Sequence, residues 1–267
     1  MPHIEPGWRL ALGLAAFLVL GAVLLRRRPV AGLALREAAV ACVLFAAWCV
    51  VGASTHPHPE GAVDRARSLF RLEQDLHLPS EVDVQHLVTP HPWLAHLVNG
   101  YYLYGHLNVI VVLLAWVWWR HRGAYSAVRL QLIALSLVCI TVQLLSVAPP
   151  RLLPDLGFVD LAQQYGESVY GGYAHGLDSQ LLAMPSLHVG WAALVAWTVW
   201  QHARGPWRWV GVAHLVLMTF AVVASANHWW LDGVVAIALL ALIVLGLDRV
   251  PALVKRRRVP ALVAAEA

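Results

Sequence analysis

The sequence PSLHVGWAALVAWTVWQ, residues 185–201, opens with a proline and a serine and continues as an apolar stretch of helical length. A second apolar stretch, residues 210–224, follows after Arg204-Gly205-Pro206, a combination typical of a turn. The two stretches therefore predict a helical hairpin, in which the chain runs away from residue 188 and then returns to the same side.

The hairpin brings two histidines and one aspartate to that side. His188 lies at the start of the first stretch, and His228 and Asp232 follow the second. The four-residue spacing of His228 and Asp232 predicts that both lie on one face of a helix. There the carboxylate can hold the tautomer and the orientation of the imidazole. We therefore expect a His-His-Asp constellation at one end of the hairpin.

The composition indicates that the hairpin crosses a membrane. Hydrophobic residues make up 60% of the 267-residue chain and charged residues 13%, and the mean hydropathy is +0.64. A soluble domain is far less apolar, and a spanning helix needs about 20 apolar residues. We predict an all-α, polytopic membrane bundle of about seven transmembrane helices. The predicted spans are residues 10–25, 38–52, 101–119, 130–147, 189–201, 210–224 and 230–247.

Basic residues indicate the orientation of the helices. If residues 26–36 are cytoplasmic, alternation places fourteen of the nineteen Lys and Arg residues on the inner side. This excess predicts an N-terminus outside and a C-terminus inside, with the first apolar stretch retained and not cleaved as a signal peptide. The net charge of +4 then reflects topology and contact with anionic lipids, not nucleic acid. The outer basic residues are Arg9, Arg65, Arg67, Arg71 and Arg151.

Two outer segments complete the predicted topology. Residues 65–78 (RARSLFRLEQDLHL) place three leucines on one helical face and Glu73 on another. This pattern fits an amphipathic helix on the membrane surface, or equally a helix packed over the mouth of the bundle. Residues 148–184 form a loop whose length favours a function, and its end adjoins His188.

The remaining histidines and cysteines do not indicate a metal site. The three cysteines lie within predicted spans, and the outer histidines lack metal-ligand spacing, so we expect neither a disulfide framework nor a bound metal. His106 and His214, each a lone histidine in an apolar helix, are interpreted as packing residues. Tyr101, Tyr102 and Tyr104 are interpreted as part of an interface belt.

The motifs around the two histidines carry a resemblance to a known family. AMPSLHVGWA (183–192) and SANHWWLDGVVA (225–236), preceded by APPRLL (148–153), resemble motifs of the type-2 phosphatidic acid phosphatase superfamily. In the branch typified by fungal inositol phosphorylceramide synthase the second motif reads P-S-L-H and the third N-H-x-x-x-D. The resemblance divides the chain into an N-terminal transmembrane helix pair (1–60), a phosphatase-like membrane domain (61–250) and a basic cytoplasmic tail (251–267).

The resemblance implies phosphoryl chemistry on a lipid phosphate without a metal or nucleotide cofactor. His228 would be the nucleophile that forms a phosphohistidine, Asp232 would orient it, and His188 would protonate the leaving oxygen. Two histidines can share this work, because a neutral imidazole is a nucleophile and a protonated one an acid near neutral pH. Ser186, at the predicted N-cap of the fifth span, and Asn227, before the seventh, would offer polar groups to the phosphate.

The sequence departs from the wider superfamily at its basic positions. The first motif, K-x6-R-P, is absent, and Val222 stands six residues before His228, where an arginine is expected. The negative charge of the transferring group must still be met. Arg151 is the outer basic residue nearest in sequence to the predicted catalytic loop, so we predict that it binds the phosphate. The alternative is an ordinary salt bridge to Asp155 or Asp160.

Three function classes are compatible with these features. The first is a lipid phosphatase or phosphotransferase at the extracytoplasmic face, with the plasma membrane as the expected location and water or an alcohol as the acceptor. The second is a vanadate-dependent oxidase, which is disfavoured because its cofactor pocket needs the missing basic residues. The third is a non-catalytic scaffold, transporter or channel, which would leave the His-His-Asp constellation without a purpose. The lipid, the acceptor and the oligomeric state stay open.

Overall fold

The fold is described from a computed structural model, which covers residues 7–54, 59–167 and 178–258. Residues Tyr101–Gly105 form a π-helical turn. Within the described residues the β-structure is limited to one bridge, between Val147 and Leu182. The predicted all-α class is confirmed. The helices are α1 (Gly7–Leu24), α2 (Pro29–Ser54), α3 (Pro59–Asp75), α4 (Glu81–His86), α5 (Pro92–Gly100), α6 (His106–Arg120), α7 (Arg122–Val142), α8 (Leu161–Gln164), α9 (Leu187–His202), α10 (Arg208–Ala224) and α11 (Trp230–Arg258).

All seven predicted apolar segments are mainly helical, and most of them can span a bilayer. The apolar helix Trp8–Leu24 within α1 is shorter than these candidate spans, and the 16 residues of α9 extend over about 24 Å, against a hydrocarbon core of about 30 Å. The apolar helices indicate an integral membrane protein, and the count of about seven spans stays a prediction. The five described segments that are long and apolar enough are Val30–Val51, Pro92–Arg120, Arg122–Val142, Gly205–Ala224 and Trp230–Leu247.

The predicted hairpin is formed by α9 and α10. A Cβ on Gly211 of α10 would lie 2.9 Å from the Cα of Ala196 on α9, so only glycine permits this close approach. The rings of His121 and His202 lie 4.9 Å apart, so the turn after α9 meets the turn between α6 and α7. These two turns therefore lie together at the far end of α9 from His188.

The end of the fourth predicted span is wrong. α7 ends at Val142, and Val147 is already extended. The Val147 N–H donates to the Leu181 carbonyl at 2.8 Å, and the Ala183 N–H donates to the Val147 carbonyl at 3.1 Å. This short pairing replaces helical hydrogen bonds and directs the following Pro-Pro-Arg turn towards the start of α11.

The helix α3 packs over one end of the bundle, as one of the two sequence interpretations proposed. Of the predicted leucine face, Leu69 is buried and Leu72 and Leu76 are exposed, and Glu73 on another face is buried. The Leu231 N–H of α11 donates to Glu73 Oε1 at 2.7 Å, and this bond turns the acidic side inwards. Arg65 anchors the same helix by donating from Nε to the Ser146 carbonyl at 2.6 Å.

Two predicted segments are only partly covered. The long outer loop is described at residues 148–167 and 178–184, and residues 168–177 lie outside the described part of the chain. The start of the predicted tail, residues 251–258, continues α11, and residues 259–267 lie outside the described part as well.

Candidate active site

His228 lies just before α11, so the predicted shared helical face with Asp232 is wrong. α11 begins at Trp230 and holds Asp232 in its first turn. Asp232 Oδ2 accepts the Trp229 N–H at 2.9 Å, as a third-position carboxylate does in a capping box. The same oxygen lies 3.2 Å from His228 Nδ1. The predicted contact therefore exists, but helix capping produces it.

Two oxygen atoms determine the tautomer of His228. Its Nδ1 atom lies 2.8 Å from the Ala183 carbonyl oxygen and 3.2 Å from Asp232 Oδ2. Because a carbonyl can only accept, we assign the proton to Nδ1 and the lone pair to Nε2. The His228 side chain is buried in this orientation. An imidazole held in this way can present Nε2 to an electrophile.

Ser186 connects the start of α9 to the start of α11. The predicted N-cap is confirmed, since the Ser186 hydroxyl accepts the Val189 N–H at 3.3 Å. The Ser186 N–H donates to the Asp232 carbonyl at 3.1 Å. His188 follows in the first turn of α9, with its ring centroid 5.7 Å from that of His228. The structure thus brings together the two histidines and the aspartate that the motifs predicted.

The turn between α10 and α11 presents Asn227 and His228. Ala226 has a φ of 55°, in the left-handed region that non-glycine residues rarely occupy outside constrained sites. Its N–H donates to the Val223 carbonyl at 2.8 Å, and the Asn227 N–H donates to the Val222 carbonyl at 3.0 Å. These bonds form a Schellman motif at the end of α10. Val222, where the superfamily arginine is expected, is a buried core residue.

Arg151 is buried beside this turn. Its backbone N–H donates to the Ala226 carbonyl at 2.9 Å, and its side-chain Nε donates to Asn227 Oδ1 at 3.0 Å. Nη1 donates to Asp160 Oδ2 at 3.0 Å and to Gln180 Oε1 at 2.9 Å. The Asn227 amide predicted to face the phosphate therefore holds the Arg151 guanidinium. Arg151 thus contacts Asn227, the residue directly before His228 in the sequence.

The two carboxylates proposed as alternative partners of Arg151 behave differently. Asp160 pairs with it, and its other oxygen caps α8 by accepting the Gln163 N–H at 2.9 Å. Asp155 instead pairs with Arg67, at 2.7 Å. The predicted salt bridge is therefore present for Asp160, and it holds the guanidinium at the site end of the bundle.

A comparison with protein-family models gives a match described as the PAP2 superfamily over residues 67–246. The chain belongs to the PAP2 superfamily. The matched region includes every candidate site residue, from Arg151 to Asp232. No curated protein and no solved structure matched in the corresponding comparisons. PAP2 members are generally phosphatases, so membership supports a phosphatase-type function on lipid phosphates.

Two residues beside the candidate site make contacts that the sequence interpretation did not include. The Tyr102 ring stacks on His188 with centroids 4.3 Å apart, and the His106 ring meets His188 edge-on at 4.2 Å. The interpretations of Tyr102 as an interface-belt residue and of His106 as a lone packing histidine do not describe these contacts. Their four-residue spacing was the available signal, because it places both on one helical side. His214 instead bonds Tyr101, with Nδ1 2.6 Å from the hydroxyl.

A pair of acidic residues, Glu73 of α3 and Glu81 of α4, lies behind the candidate site, next to the start of α11. Glu73 and Glu81 are both buried, and Glu73 Oε1 accepts the Leu231 N–H. Burial, together with the hydrogen-bonded Glu81 carboxyl, raises the pKa of Glu73 to about 9. The Glu73 carboxyl is therefore protonated at neutral pH in the folded protein.

Glu73→Gln should stabilise the folded protein at neutral and mildly alkaline pH. An unfolded Glu73 releases its proton near pH 4.5, whereas the folded one keeps it to about pH 9. The wild type therefore loses stability as the pH rises through this window, because only the unfolded state releases the proton. Glutamine keeps an acceptor for Leu231 and cannot ionise. The measurement is the thermal unfolding midpoint in detergent from pH 5 to pH 9.

Asp75→Asn is the matched control, because Asp75 is exposed on the same helix. The unfolding midpoint of Asp75→Asn should change with pH as that of the wild type does. The midpoint of Glu73→Gln should fall less than either as the pH rises. Parallel curves for Glu73→Gln and the wild type would mean that Glu73 is ionised in the folded state.

Proposed function

We propose that this PAP2 protein is a metal-independent lipid phosphatase or phosphotransferase that works through a phosphohistidine at His228. The observation that carries the proposal is the pair of acceptors on His228 Nδ1, the Ala183 carbonyl and Asp232 Oδ2. They leave the lone pair on Nε2, which is the atom that must attack phosphorus. The family match supports the substrate class, a lipid phosphate.

The reaction then runs in two steps. The Nε2 lone pair of His228 forms a bond to phosphorus, the bond from phosphorus to the leaving oxygen breaks, and His188 gives its proton to that oxygen. In the second step His188 takes a proton from water or an alcohol, whose oxygen attacks the phosphohistidine and releases His228. The ring centroids lie 5.7 Å apart, which is close enough for both imidazoles to reach the same phosphoryl group.

Arg151 supplies the positive charge in this proposal. Its guanidinium lies at Asn227, directly before His228, and is held there by three side chains. Ser186, with the N-terminal backbone of α9, adds hydrogen-bond donors at a positive helix end. Together these groups can meet the charge that the missing superfamily arginines would otherwise meet. Asn227 acts in this scheme by orienting Arg151.

The P-S-L-H and N-H-x-x-x-D motifs support transfer as well as hydrolysis, since they resemble the inositol phosphorylceramide synthase branch. A phospho-headgroup such as phosphoinositol would then pass to an alcohol. The other classes are less well supported. A vanadate-dependent oxidase would need the absent basic motif, and a scaffold, transporter or channel would not require a buried, tautomer-specific His228.

The purified protein in detergent should release phosphate from a lipid phosphomonoester, and the release should survive EDTA. Among the described residues no group of three or more His, Cys, Asp or Glu side chains is placed to hold a metal ion, and the proposed steps need none. Phosphate release is measured with and without chelator, and lipid products are identified by mass spectrometry with candidate alcohols present. Loss of activity on chelation would contradict the phosphohistidine mechanism.

We further propose that the site faces the extracytoplasmic side of the plasma membrane, with the C-terminus inside. A cysteine at Gln164, exposed at the site end, should react with an impermeant maleimide on intact cells. A cysteine at Arg204, exposed in the opposite turn, should react only after lysis. Both variants are built on a chain without its three native cysteines. The reverse pattern of labelling would invert the proposed orientation.

A further inference from the structure

The π-helical turn Tyr101–Gly105 brings two rings onto His188. The Tyr102 ring is stacked on the imidazole, with 4.3 Å between centroids and 25° between planes. The His106 ring, four residues later, meets the same imidazole at 4.2 Å and 63°. π-Helical turns occur frequently at functional sites, where the additional residue changes the direction of neighbouring side chains. We call Tyr102 and His106 the ring clamp.

The two site histidines are held by different means. His228 is oriented by hydrogen bonds from Nδ1 to the Ala183 carbonyl and to Asp232. Within the described part of the chain, the ring nitrogens of His188 make no comparable hydrogen bond, and its neighbours are rings. The ring clamp therefore orients the His188 imidazole, as Asp232 orients the His228 imidazole. It leaves the ring nitrogens of His188 available to the substrate.

The ring clamp is itself supported by polar contacts. His106 Nδ1 donates to the Tyr102 carbonyl at 3.0 Å, which fixes the orientation of the His106 ring. That ring also lies 5.7 Å from the Trp191 ring of α9. The Trp191 Nε1–H donates to Ser136 Oγ of α7 at 3.0 Å. Through Trp191 and Ser136, the His106 ring of α6 is thus supported by α9 and α7.

We propose that Tyr102 and His106 are positioning residues for His188, which hold its imidazole in the orientation that passes a proton to the leaving oxygen. The inference rests on the proposed function, in which His188 is the general acid and base. A misplacement of about 1 Å at such a group can lower the rate about 100-fold. Loss of the clamp should therefore lower kcat much more than it raises KM.

The test compares kcat and KM of the full-length protein in detergent on a lipid phosphomonoester. Tyr102→Leu and His106→Ala should each lower kcat by about 10- to 100-fold, with KM changed by less than about threefold. Tyr102→Phe keeps the stacked ring and should retain kcat within about threefold of the wild type. His106→Phe keeps a ring but loses the bond to the Tyr102 carbonyl, so its kcat should lie between those of the wild type and His106→Ala. Tyr104→Leu is the matched control, because Tyr104 lies in the same turn and is 68% exposed.

A kcat of Tyr102→Leu and His106→Ala that stays near wild type would overturn the proposal. It would also be overturned if the phenylalanine variants lost as much activity as the variants without a ring. Elution in gel filtration at the wild-type volume confirms that each variant is folded.

A second readout does not depend on turnover. Diethyl pyrocarbonate acylates unprotonated imidazole nitrogens, and mass spectrometry gives the rate for each histidine. The acylation rate of His188 in Tyr102→Leu should differ several-fold from the rates in the wild type and in Tyr104→Leu, because without the stacked ring the His188 nitrogens leave the orientation that the clamp holds. Equal rates in all three proteins would reject the ring clamp. A wild-type protein without activity, combined with a changed acylation rate in Tyr102→Leu, would reject the proposed function and keep the clamp.

Discussion

His228→Ala should lower kcat at least about 1,000-fold, because the variant has no atom on which to form the phosphohistidine. His188→Ala and Asp232→Ala should each remove most of the turnover as well. The proposed steps use the three groups as a unit, so the double variant His188→Ala/His228→Ala should be no slower than His228→Ala alone. The measurement is single-turnover and steady-state phosphate release from a lipid phosphomonoester in detergent.

His202→Ala is the matched control, since His202 lies at the opposite end of α9 from His188. It should retain wild-type kcat and elute at the same volume in gel filtration. A His228→Ala protein that keeps a rate within about tenfold of the wild type would exclude His228 as the nucleophile. Additive losses in the double variant would show that the histidines act in separate steps.

Arg151→Ala should lower kcat/KM by about 100- to 1,000-fold, the scale expected when a donor to a developing anion is removed. Arg151→Lys keeps the charge but loses the planar fork, so a loss of about 10- to 100-fold is expected. The kcat/KM of Asn227→Ala should lie between those of the wild type and Arg151→Ala, because Asn227 Oδ1 accepts a hydrogen bond from Arg151 Nε. The measurement is kcat and KM on the preferred lipid.

Arg67→Ala is the matched control for these variants, because Arg67 forms a partly exposed salt bridge with Asp155 on the same side. It should leave kcat/KM unchanged, as exposed salt bridges contribute little. The double variant Arg151→Ala/Asn227→Ala should lose less kcat/KM, on a logarithmic scale, than the two single losses added together, since the residues contact each other. Unchanged kinetics for Arg151→Ala would assign the phosphate charge to Ser186 and the helix ends alone.

Much of the fold follows from local properties of the sequence. Apolar stretches of helical length, a Gly-Pro turn and the distribution of arginines depend on neighbouring residues, and they predicted an all-α membrane bundle with a hairpin at residues 185–224. The motif order also identified the superfamily, which the family match confirms. The Ser186 N-cap was predictable for the same reason, because capping is a local interaction.

Tertiary contacts decided the parts of the site that the sequence does not encode locally. The acceptor that orients His228 is the Ala183 carbonyl, 45 residues away, and a backbone carbonyl has no signature in a sequence. Glu73 faces inwards because the Leu231 N–H of a distant helix needs an acceptor there. The approach of Tyr102 and His106 to His188 depends on a π-helical turn, which hydrophobic periodicity does not report.

By itself the sequence determined that this chain is a helical membrane protein of the PAP2 superfamily with two motif histidines and an aspartate. Only the tertiary structure decided that Nδ1 of His228 carries the proton, that Asn227 and Asp160 hold Arg151, and that rings surround His188. The physical reason is the range of the interactions. Hydropathy, turns and caps act within a few residues, whereas tautomers and guanidinium partners depend on groups that packing brings together from distant helices.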